Sequence, residues 1–276
     1  MRLLLLPALA LAAAAQTVDP DPPMSASRLA RIEEFRKKAV AVTPRFEAHT
    51  FTGSDGQAMP YRLFRPAKLD PARKYPLVLY LHGAGGLGTD NQKQYTGGNL
   101  FGSHVWALEE NQARRPAFIL APQTDQGWGY RGALRSGEPE PEAMAPGARL
   151  AFELLDKILA ELPIDRTRIY VTGQSMGGAG SWYMAMLRPD RFAAAVPVCG
   201  GGNTAKAGAL RSLPIWNFHG TADPTVPVKF SRAMIEAVRA AGGKPLHTEY
   251  EGVRHNSWEW AYTEPALPGW LFAQHK

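Results

Sequence analysis

Runs of apolar residues that recur from residue 76 onward constrain the fold of this chain more than any other feature. The first run has no polar position, as expected of a strand buried on both faces of a parallel sheet. Predicted helices at residues 105–114, 147–162, 176–187 and 228–241 separate several of the runs. The runs cover residues 77–81, 117–121, 168–172, 193–198, 214–218 and, more weakly, 246–250. Strands that alternate with helices at this spacing predict an α/β fold with right-handed crossovers.

Two alternating segments precede these runs and predict an antiparallel hairpin. Residues 46–52 and 59–64 alternate apolar and polar side chains, and Gly53-Ser54-Asp55-Gly56 joins them. The hairpin and about six parallel strands give eight strands in all. With 276 residues and no internal repeat, we predict one domain over residues 46–276. It holds an eight-stranded, mostly parallel sheet with helices on both faces.

The first 45 residues are expected to lie outside that domain. Arg2 precedes an apolar stretch at residues 3–14, and Ala13-Ala14-Ala15 fits the small-x-small cleavage rule. The stretch is too short to span a bilayer, and no lipobox cysteine follows it. We predict a Sec signal peptide at residues 1–15, a Pro-rich linker and helix at 16–45, and a secreted or periplasmic protein.

Cysteine content and charge bear on two properties of the protein, its disulfides and its binding to nucleic acid. Cys199 is the only cysteine, so no internal disulfide can form, and its apolar surroundings favour a core position. The formal net charge of +6 comes partly from basic residues around the predicted N-terminal helix. No nucleic-acid-binding motif accompanies them, so we expect no nucleic-acid partner.

The segment around Ser175 carries the strongest functional signal. Gly173-Gln174-Ser175-Met176-Gly177 follows a predicted strand and opens a predicted helix. A G-x-S-x-G pattern in that setting places serine on a tight, strained turn, with its hydroxyl at a helix N-terminus where negative charge is favoured. The alternative is a Gly-rich turn that only lets a helix leave the sheet. We predict that Ser175 is a nucleophile.

Together with His82-Gly83-Ala84-Gly85-Gly86, this segment resembles the α/β-hydrolase superfamily. The chain is most similar to secreted esterases of the polyhydroxybutyrate-depolymerase and feruloyl-esterase type, and to the catalytic domain of prolyl oligopeptidases. The resemblance runs from about Phe46 to the C-terminus. It implies an eight-stranded sheet, a Ser-Asp-His triad and hydrolysis of carboxylic esters or, less often, amides.

The base of such a triad follows the serine and the acid in chain order. Four histidines come after Ser175: His219, His247, His255 and His275. His255 lies in a loop after the strand at 246–250, where it can reach the serine, so it is the predicted base. His219 ends a strand, His247 lies inside one, and His275 is near the C-terminus.

Asp223 is the predicted acid. It lies in His219-Gly220-Thr221-Ala222-Asp223, directly after the strand at 214–218, which resembles the acid loop of the superfamily. Helix capping is the alternative role for this aspartate. Glu249 and Glu251 are too close to His255 in sequence to bond its ring, and Asp165 precedes the serine, which breaks the expected order.

The oxyanion formed during acyl transfer needs fixed donors. One should be the amide of Met176, the residue after the serine, and the second should come from the Gly-rich loop at residues 82–86. We assign the second donor to the amide of Ala84, with Gly85 as a possible substitute. His82 is expected to make structural hydrogen bonds rather than to take part in catalysis.

Two long loops, residues 83–104 and 123–146, follow the carboxyl ends of strands, where open α/β sheets bind ligands. They are the predicted walls of a substrate cleft, and the sequence leaves open whether they act as a lid. Trp128 and Trp258 are candidates for lining the substrate pocket, although each could equally lie in the core. No metal-ligand spacing and no dinucleotide motif occurs, so we expect neither metal nor cofactor.

These features predict a serine hydrolase that cleaves carboxylic esters, either small molecules or acetyl and aromatic esters on polysaccharides. A serine peptidase of prolyl-oligopeptidase type would use the same site on an amide bond. A non-catalytic binding module on a hydrolase fold is disfavoured, because nucleophile, acid, base and both oxyanion segments occur together. The acyl and alcohol groups and the oligomeric state do not follow from the sequence.

Overall fold

The computed structural model describes residues 21–129 and 143–276. The predicted signal peptide, the first part of the linker and residues 130–142 of the second long loop lie outside the described residues. Predictions that fall on those segments stay predictions.

An eight-stranded sheet forms the centre of the molecule, with strand order β1-β2-β4-β3-β5-β6-β7-β8. β2 pairs antiparallel with β1 and β4, and every other neighbouring pair is parallel. The strands are β1 Phe46–Thr52, β2 Ala58–Phe64, β3 Tyr75–Leu81, β4 Phe118–Pro122, β5 Ile164–Gln174, β6 Ala194–Val198, β7 Trp216–Gly220 and β8 Leu246–Tyr250. The predicted architecture, a hairpin leading into a parallel α/β sheet, is confirmed.

Helices cover both faces of this sheet. They are α1 Ala26–Val42, α2 Leu100–His104, α3 Glu109–Arg114, α4 Pro146–Glu161, α5 Met176–Leu187, α6 Lys229–Ala240, α7 Trp258–Tyr262 and α8 Ala266–Ala273. In β3, Leu77 and Leu79 pack with α4, α5 and α6, whereas Val78 and Tyr80 pack with α1 and the C-terminal helices. Successive strand residues point to opposite faces, so a continuous apolar run supplies both cores.

The N-terminal helix packs on the second of these cores. Ser25 caps α1 by accepting a hydrogen bond from the amide of Arg28, and Ile32, Phe35 and Ala39 form its buried stripe. Among the residues that the structure describes, no helix has the length and apolar character needed to cross a membrane.

Helix prediction differed from the structure in two places. The helix predicted at residues 105–114 is divided into a 3₁₀ turn, Val105–Ala107, and α3. Leu108 between them is extended, with φ −55° and ψ 142°. The side-chain amide of Gln112 caps the interrupted turn by donating to the carbonyl of Trp106. The C-terminal helices α7 and α8 were not predicted, since their aromatic residues give little amphipathic period.

Candidate active site

Ser175 lies on a strained turn between β5 and α5. Its φ of 55° and ψ of −115° fall where non-glycine residues are rare. A Cβ atom at Gly177 would lie 1.9 Å from the carbonyl oxygen of Leu81, and one at Gly173 would lie 2.5 Å from that of Gly177. The two glycines therefore let α5 start directly against β3 and β5, which leaves the serine at the carboxyl edge of the sheet.

His255 and Asp223 reach this serine from two later loops. Ser175 Oγ lies 2.8 Å from His255 Nε2, and His255 Nδ1 lies 2.7 Å from Asp223 Oδ2. A carboxylate accepts hydrogen bonds, so Nδ1 of His255 donates to Asp223. In the neutral ring, Nε2 is then free to accept the hydroxyl hydrogen of Ser175. The structure thus brings the three predicted residues into one hydrogen-bonded chain.

The Asp223 side chain is fully buried, yet it is held in its charged form. Its Oδ1 accepts hydrogen bonds from the amides of Thr225, at 2.8 Å, and Val226, at 2.9 Å. Burial alone would raise its pKa, but hydrogen bonds from His219, His255 and the Val226 amide outweigh burial and hold the pKa well below its usual range. Asp223 is therefore a fixed anion under His255.

Backbone hydrogen bonds lock the loops of the acid and the base together. The amide of Ala222 donates to the carbonyl of Val253 at 3.0 Å, and the amide of Gly252 donates to Thr221 Oγ1 at 2.9 Å. A Cβ atom at Gly220 would lie 2.2 Å from the Val253 carbonyl oxygen. Glycine after β7 thus allows the loop that carries the histidine to lie directly on the acid loop.

The two predicted oxyanion segments meet beside Ser175. Leu81 at the end of β3 pairs with Gly173 at the end of β5, and the exposed Ala84 opens a 3₁₀ turn two residues beyond His82. Met176 is the first residue of α5, where backbone N–H groups point out of the helix. Both predicted donors therefore lie in segments at the same edge of the sheet as the serine.

A buried polar network that sequence reasoning missed holds the Gly-rich loop. Asn99 Oδ1 accepts from the amide of Gly83 at 2.9 Å, and its Nδ2 donates to the carbonyl of Lys93 at 2.8 Å. Gln174 Nε2 donates to the carbonyl of Gly98 at 2.8 Å, and Tyr80 Oη donates to Gln174 Oε1 at 3.0 Å. Polar residues inside an otherwise apolar strand and beside two glycines are the only signal that pointed to this network.

His82 and Trp128 support the same loop from inside the protein. His82 Nδ1 donates to the carbonyl of Gly83 at 2.8 Å, and Nε2 accepts from the amide of Thr124 at 3.2 Å. Burial lowers the pKa of His82 to about 4, so it is neutral near pH 7. Trp128 is 0% exposed and donates to the carbonyl of His82 at 2.9 Å. The structure therefore places Trp128 in the core beneath the loop, which does not support the prediction that it lines the substrate pocket.

Trp258, the second pocket candidate, lies beside the predicted base. Its ring packs edge-on against His255, with centroids 5.3 Å apart and planes at 86°. The side chain is half-buried, and its Nε1 has no hydrogen-bond partner within the described part of the chain. This position is compatible with the predicted pocket role.

The remaining histidines after Ser175 have different environments. His275 is exposed near the C-terminus, and His247 Nε2 lies 2.9 Å from Glu249 Oε1. His219 is fully buried and contacts Asp223. The sequence placed His219 at the end of a strand and did not predict its contact with Asp223.

One cluster of possible metal ligands exists in the described ranges, 21–129 and 143–276. It consists of Cys199, Asp223 and His255, whose ligand atoms lie within 4.8 Å of one another. Burial raises the pKa of the Cys199 thiol to about 12, and Asp223 and His255 are hydrogen-bonded to each other. A metal ligand must be deprotonated and available, so these residues do not fit a metal site.

Comparison with known proteins agrees with this geometry. Residues 53–260 match the family model named Esterase, described as "Putative esterase".

The chain belongs to the Esterase family.

Three similar proteins give this family assignment more detail. The "Probable feruloyl esterase C" of Aspergillus terreus is 28% identical over 169 residues, which cover 61% of this chain and 56% of that protein. "Poly(3-hydroxyalkanoate) depolymerase C" of Paucimonas lemoignei is 30% identical over 127 residues, covering 46% of this chain and 28% of that one. The crystal structure of a thermostable esterase aligns with a TM-score of 0.79 at 40% identity, over 86% of this chain and 64% of that chain.

The match to the Aspergillus esterase spans little more than half of that relative's length. These likenesses show the family and the α/β-hydrolase fold of this chain, and they agree with the resemblance found in its motifs.

Proposed function

We propose that this member of the Esterase family hydrolyses carboxylic esters through an acyl-enzyme intermediate on Ser175. The observation that carries the proposal is the continuous hydrogen-bonded chain from Ser175 Oγ through His255 to Asp223, with contacts of 2.8 and 2.7 Å. A serine hydroxyl needs such a base to react near neutral pH, and the base needs a fixed acid to orient it.

In the acylation step, Ser175 Oγ attacks the ester carbonyl carbon while its proton passes to His255 Nε2. The imidazolium that forms is stabilised by Asp223, which stays ionised because its pKa is held low. His255 then gives the proton to the leaving alcohol, and the acyl group remains bonded to Ser175.

The tetrahedral intermediate carries its negative charge on the former carbonyl oxygen. We assign the donors for this oxyanion to the amides of Met176 and Ala84, since both lie in segments at the same edge of the sheet as the serine. Loss of one such donor costs about 10²–10³ in rate. The network around Asn99 keeps the Ala84 segment in place, so that no rearrangement is needed during the reaction.

Deacylation repeats these steps with water. His255 removes a proton from a water molecule, the hydroxide attacks the acyl carbon, and the proton returns to Ser175 Oγ as the acid product leaves. The free enzyme is regenerated, and the proposed cycle uses no cofactor.

The substrate class that we propose is an acetyl or aromatic acyl ester, either small or linked to polysaccharide. Names of relatives support it, since they include feruloyl esterases and a bifunctional acetylxylan esterase/xylanase. An aromatic acyl group could pack on the half-buried Trp258 beside the base.

A hydrolysis screen tests this proposal. Purified protein is assayed with acetyl, feruloyl and longer acyl esters and with a peptide anilide, in parallel with Ser175→Ala. We expect ester turnover that the Ser175→Ala substitution removes. A preference for the anilide would replace the ester assignment with a peptidase, and equal activity of the variant would refute the role of Ser175.

We also propose that the protein is exported, on the basis of residues 1–15 alone. Expression in a bacterial host followed by N-terminal analysis should give a chain that begins at Gln16 outside the cytoplasm. An uncleaved chain in the cytoplasm would contradict export.

A further inference from the structure

Asp223 makes a contact that the proposed mechanism does not use. Nε2 of His219, at the carboxyl end of β7, lies 3.3 Å from Asp223 Oδ2. The same oxygen accepts the hydrogen bond from His255 at 2.7 Å. The side chains of His219 and Asp223 are both 0% exposed, so no bulk water screens the contact.

The other neighbours of His219 decide which of its nitrogens carries a hydrogen. Nε2 lies 2.8 Å from the carbonyl oxygen of Val226, and a carbonyl can only accept. Nε2 therefore carries a hydrogen, which it directs towards the Val226 carbonyl and Asp223 Oδ2. Nδ1 lies 2.7 Å from Ser231 Oγ, which in turn lies 2.9 Å from the carbonyl oxygen of Gly200.

This arrangement holds the His219 ring from both sides. Ser231 belongs to α6, so the ring is fixed between a helix and the acid loop. Asp223 Oδ1 is already occupied by two backbone amides, and Oδ2 is therefore the oxygen that both imidazoles share. A buried carboxylate with every acceptor position used has little freedom to rotate.

We propose that His219 is a positioning residue for the acid of the triad, sharing Asp223 Oδ2 with His255. The inference rests on the proposed function, because it assumes that Asp223 orients His255 for ester hydrolysis. Its chemical consequence is that the negative charge of Asp223 is divided between two imidazoles. His219 thereby helps to fix the orientation of the carboxylate that positions His255.

Other titratable groups around this pair do not compete for the role. Cys199, after β6, is buried, and burial raises the pKa of its thiol to about 12. On β8, burial lowers the pKa of His247, whose Nε2 faces Glu249. Arg232 of α6 pairs with Glu249 at 2.6 Å, and this hydrogen bond is the main cause that lowers the pKa of Glu249 to about 2. In the described structure, His219 and His255 are the imidazoles that contact Asp223.

Two replacements of His219 separate positioning from simple packing. His219→Leu removes the donor, whereas His219→Gln keeps an N–H group on a side chain of similar reach. We expect His219→Leu to lower kcat for an aryl acetate about tenfold with little change in KM. His219→Gln should recover most of that loss.

His247→Gln is the control, since it replaces a half-buried histidine that pairs with Glu249 rather than Asp223. Its kcat should equal that of the wild type. If folded His219→Leu also kept the wild-type kcat, or if the Leu and Gln variants were equally impaired, the positioning role would be refuted.

A measurement on the resting protein keeps this inference separate from the proposed function. In ¹⁵N-labelled wild type, NMR should find a hydrogen on Nε2 of His219, and the Nδ1 hydrogen of His255 should shift in His219→Gln. A His219 ring protonated only on Nδ1 would overturn the inference. If the wild type hydrolysed no ester, the proposed function would fail, while these spectra would still decide the His219 contact.

Discussion

At the scale of single residues, the site depends on side chains held in conformations they would not adopt alone. Ser175 has a positive φ, and its ψ of −115° lies outside the left-handed helical region. A strained backbone of this kind costs about 1–3 kcal/mol. It persists because the Ser175 amide donates to the carbonyl of Val198 at 2.9 Å and α5 starts directly after it. The hydroxyl is thereby presented to His255 before substrate binds.

This strain predicts a stability difference between two inactive variants. Ser175→Gly should be more stable than Ser175→Ala by about 1 kcal/mol, because glycine adopts positive φ without a Cβ penalty. Urea unfolding of both variants checks this. Equal midpoints and slopes, or a more stable alanine variant, would show that the turn stores no strain.

The acid can be tested without changing the shape of the site. Asp223→Asn removes the charge but can still hold the loop amides, so kcat should fall by about 10⁴ with a smaller effect on KM. Steady-state kinetics with an aryl acetate measures it. A fall of less than tenfold would mean that another carboxylate orients His255.

Sequence reasoning predicted the residues with a fixed position in the chain order and missed those defined by contacts. Ser175, Asp223 and His255 each follow a strand in the order typical of the superfamily, and the structure brings them together. Asn99 and His219 act through hydrogen bonds that only the folded loops create, so no local pattern could reveal them. Trp128 is buried, and an aromatic residue near a strand end is equally compatible with core and pocket, so the sequence left both positions open.

At the scale of elements, the close approach of α5 to β3 positions the serine. Gly177→Ala should lower the free energy of unfolding by about 1–3 kcal/mol or more and reduce ester hydrolysis, because its Cβ would lie 1.9 Å from the Leu81 carbonyl oxygen. Chemical denaturation and activity measure the two effects.

Gly208→Ala is the control for that substitution. Gly208 lies in the 3₁₀ turn Thr204–Leu210 and has no atom within 4 Å of a Cβ position. Its unfolding free energy should stay within about 0.5 kcal/mol of the wild type. If the two alanine variants had the same unfolding free energy, the close contact between α5 and β3 would not be the reason why position 177 needs glycine.

Continuous apolar runs located the parallel strands along the chain, because the strands are covered on both faces of the sheet, but they did not predict the order of the strands within it. Strand ends were less certain, and β5 extends from Ile164 to Gln174, well beyond the run at 168–172. The break before α3 depends on side-chain capping by Gln112 and Asn111, which a periodic pattern does not contain.

At the scale of the whole molecule, buried histidines predict how stability depends on pH. Burial lowers the pKa of His82 to about 4 and that of His104 to about 3. Below an ordinary value of about 6.5 the unfolded chain binds protons that the native state does not, so stability falls as pH is lowered from 6.5 towards 4. Each histidine contributes a slope of about 1.4 kcal/mol per pH unit.

His104→Gln isolates one of these contributions. The slope of unfolding free energy against pH between 6 and 4.5 should be reduced in this variant, and His275→Gln, at an exposed position, should leave it unchanged. A slope that is the same in His104→Gln and wild type would show that His104 is not held neutral by burial.

The central claim is that an acyl group is carried on Ser175 during ester hydrolysis. Rapid acid quenching of the enzyme during turnover of a slow aromatic ester, followed by mass spectrometry of its peptides, tests this claim most directly. We predict one acyl group on the peptide that contains Ser175, absent from Ser175→Ala. Hydrolysis with the acyl group on another residue, or undiminished turnover by Ser175→Ala, would contradict the claim.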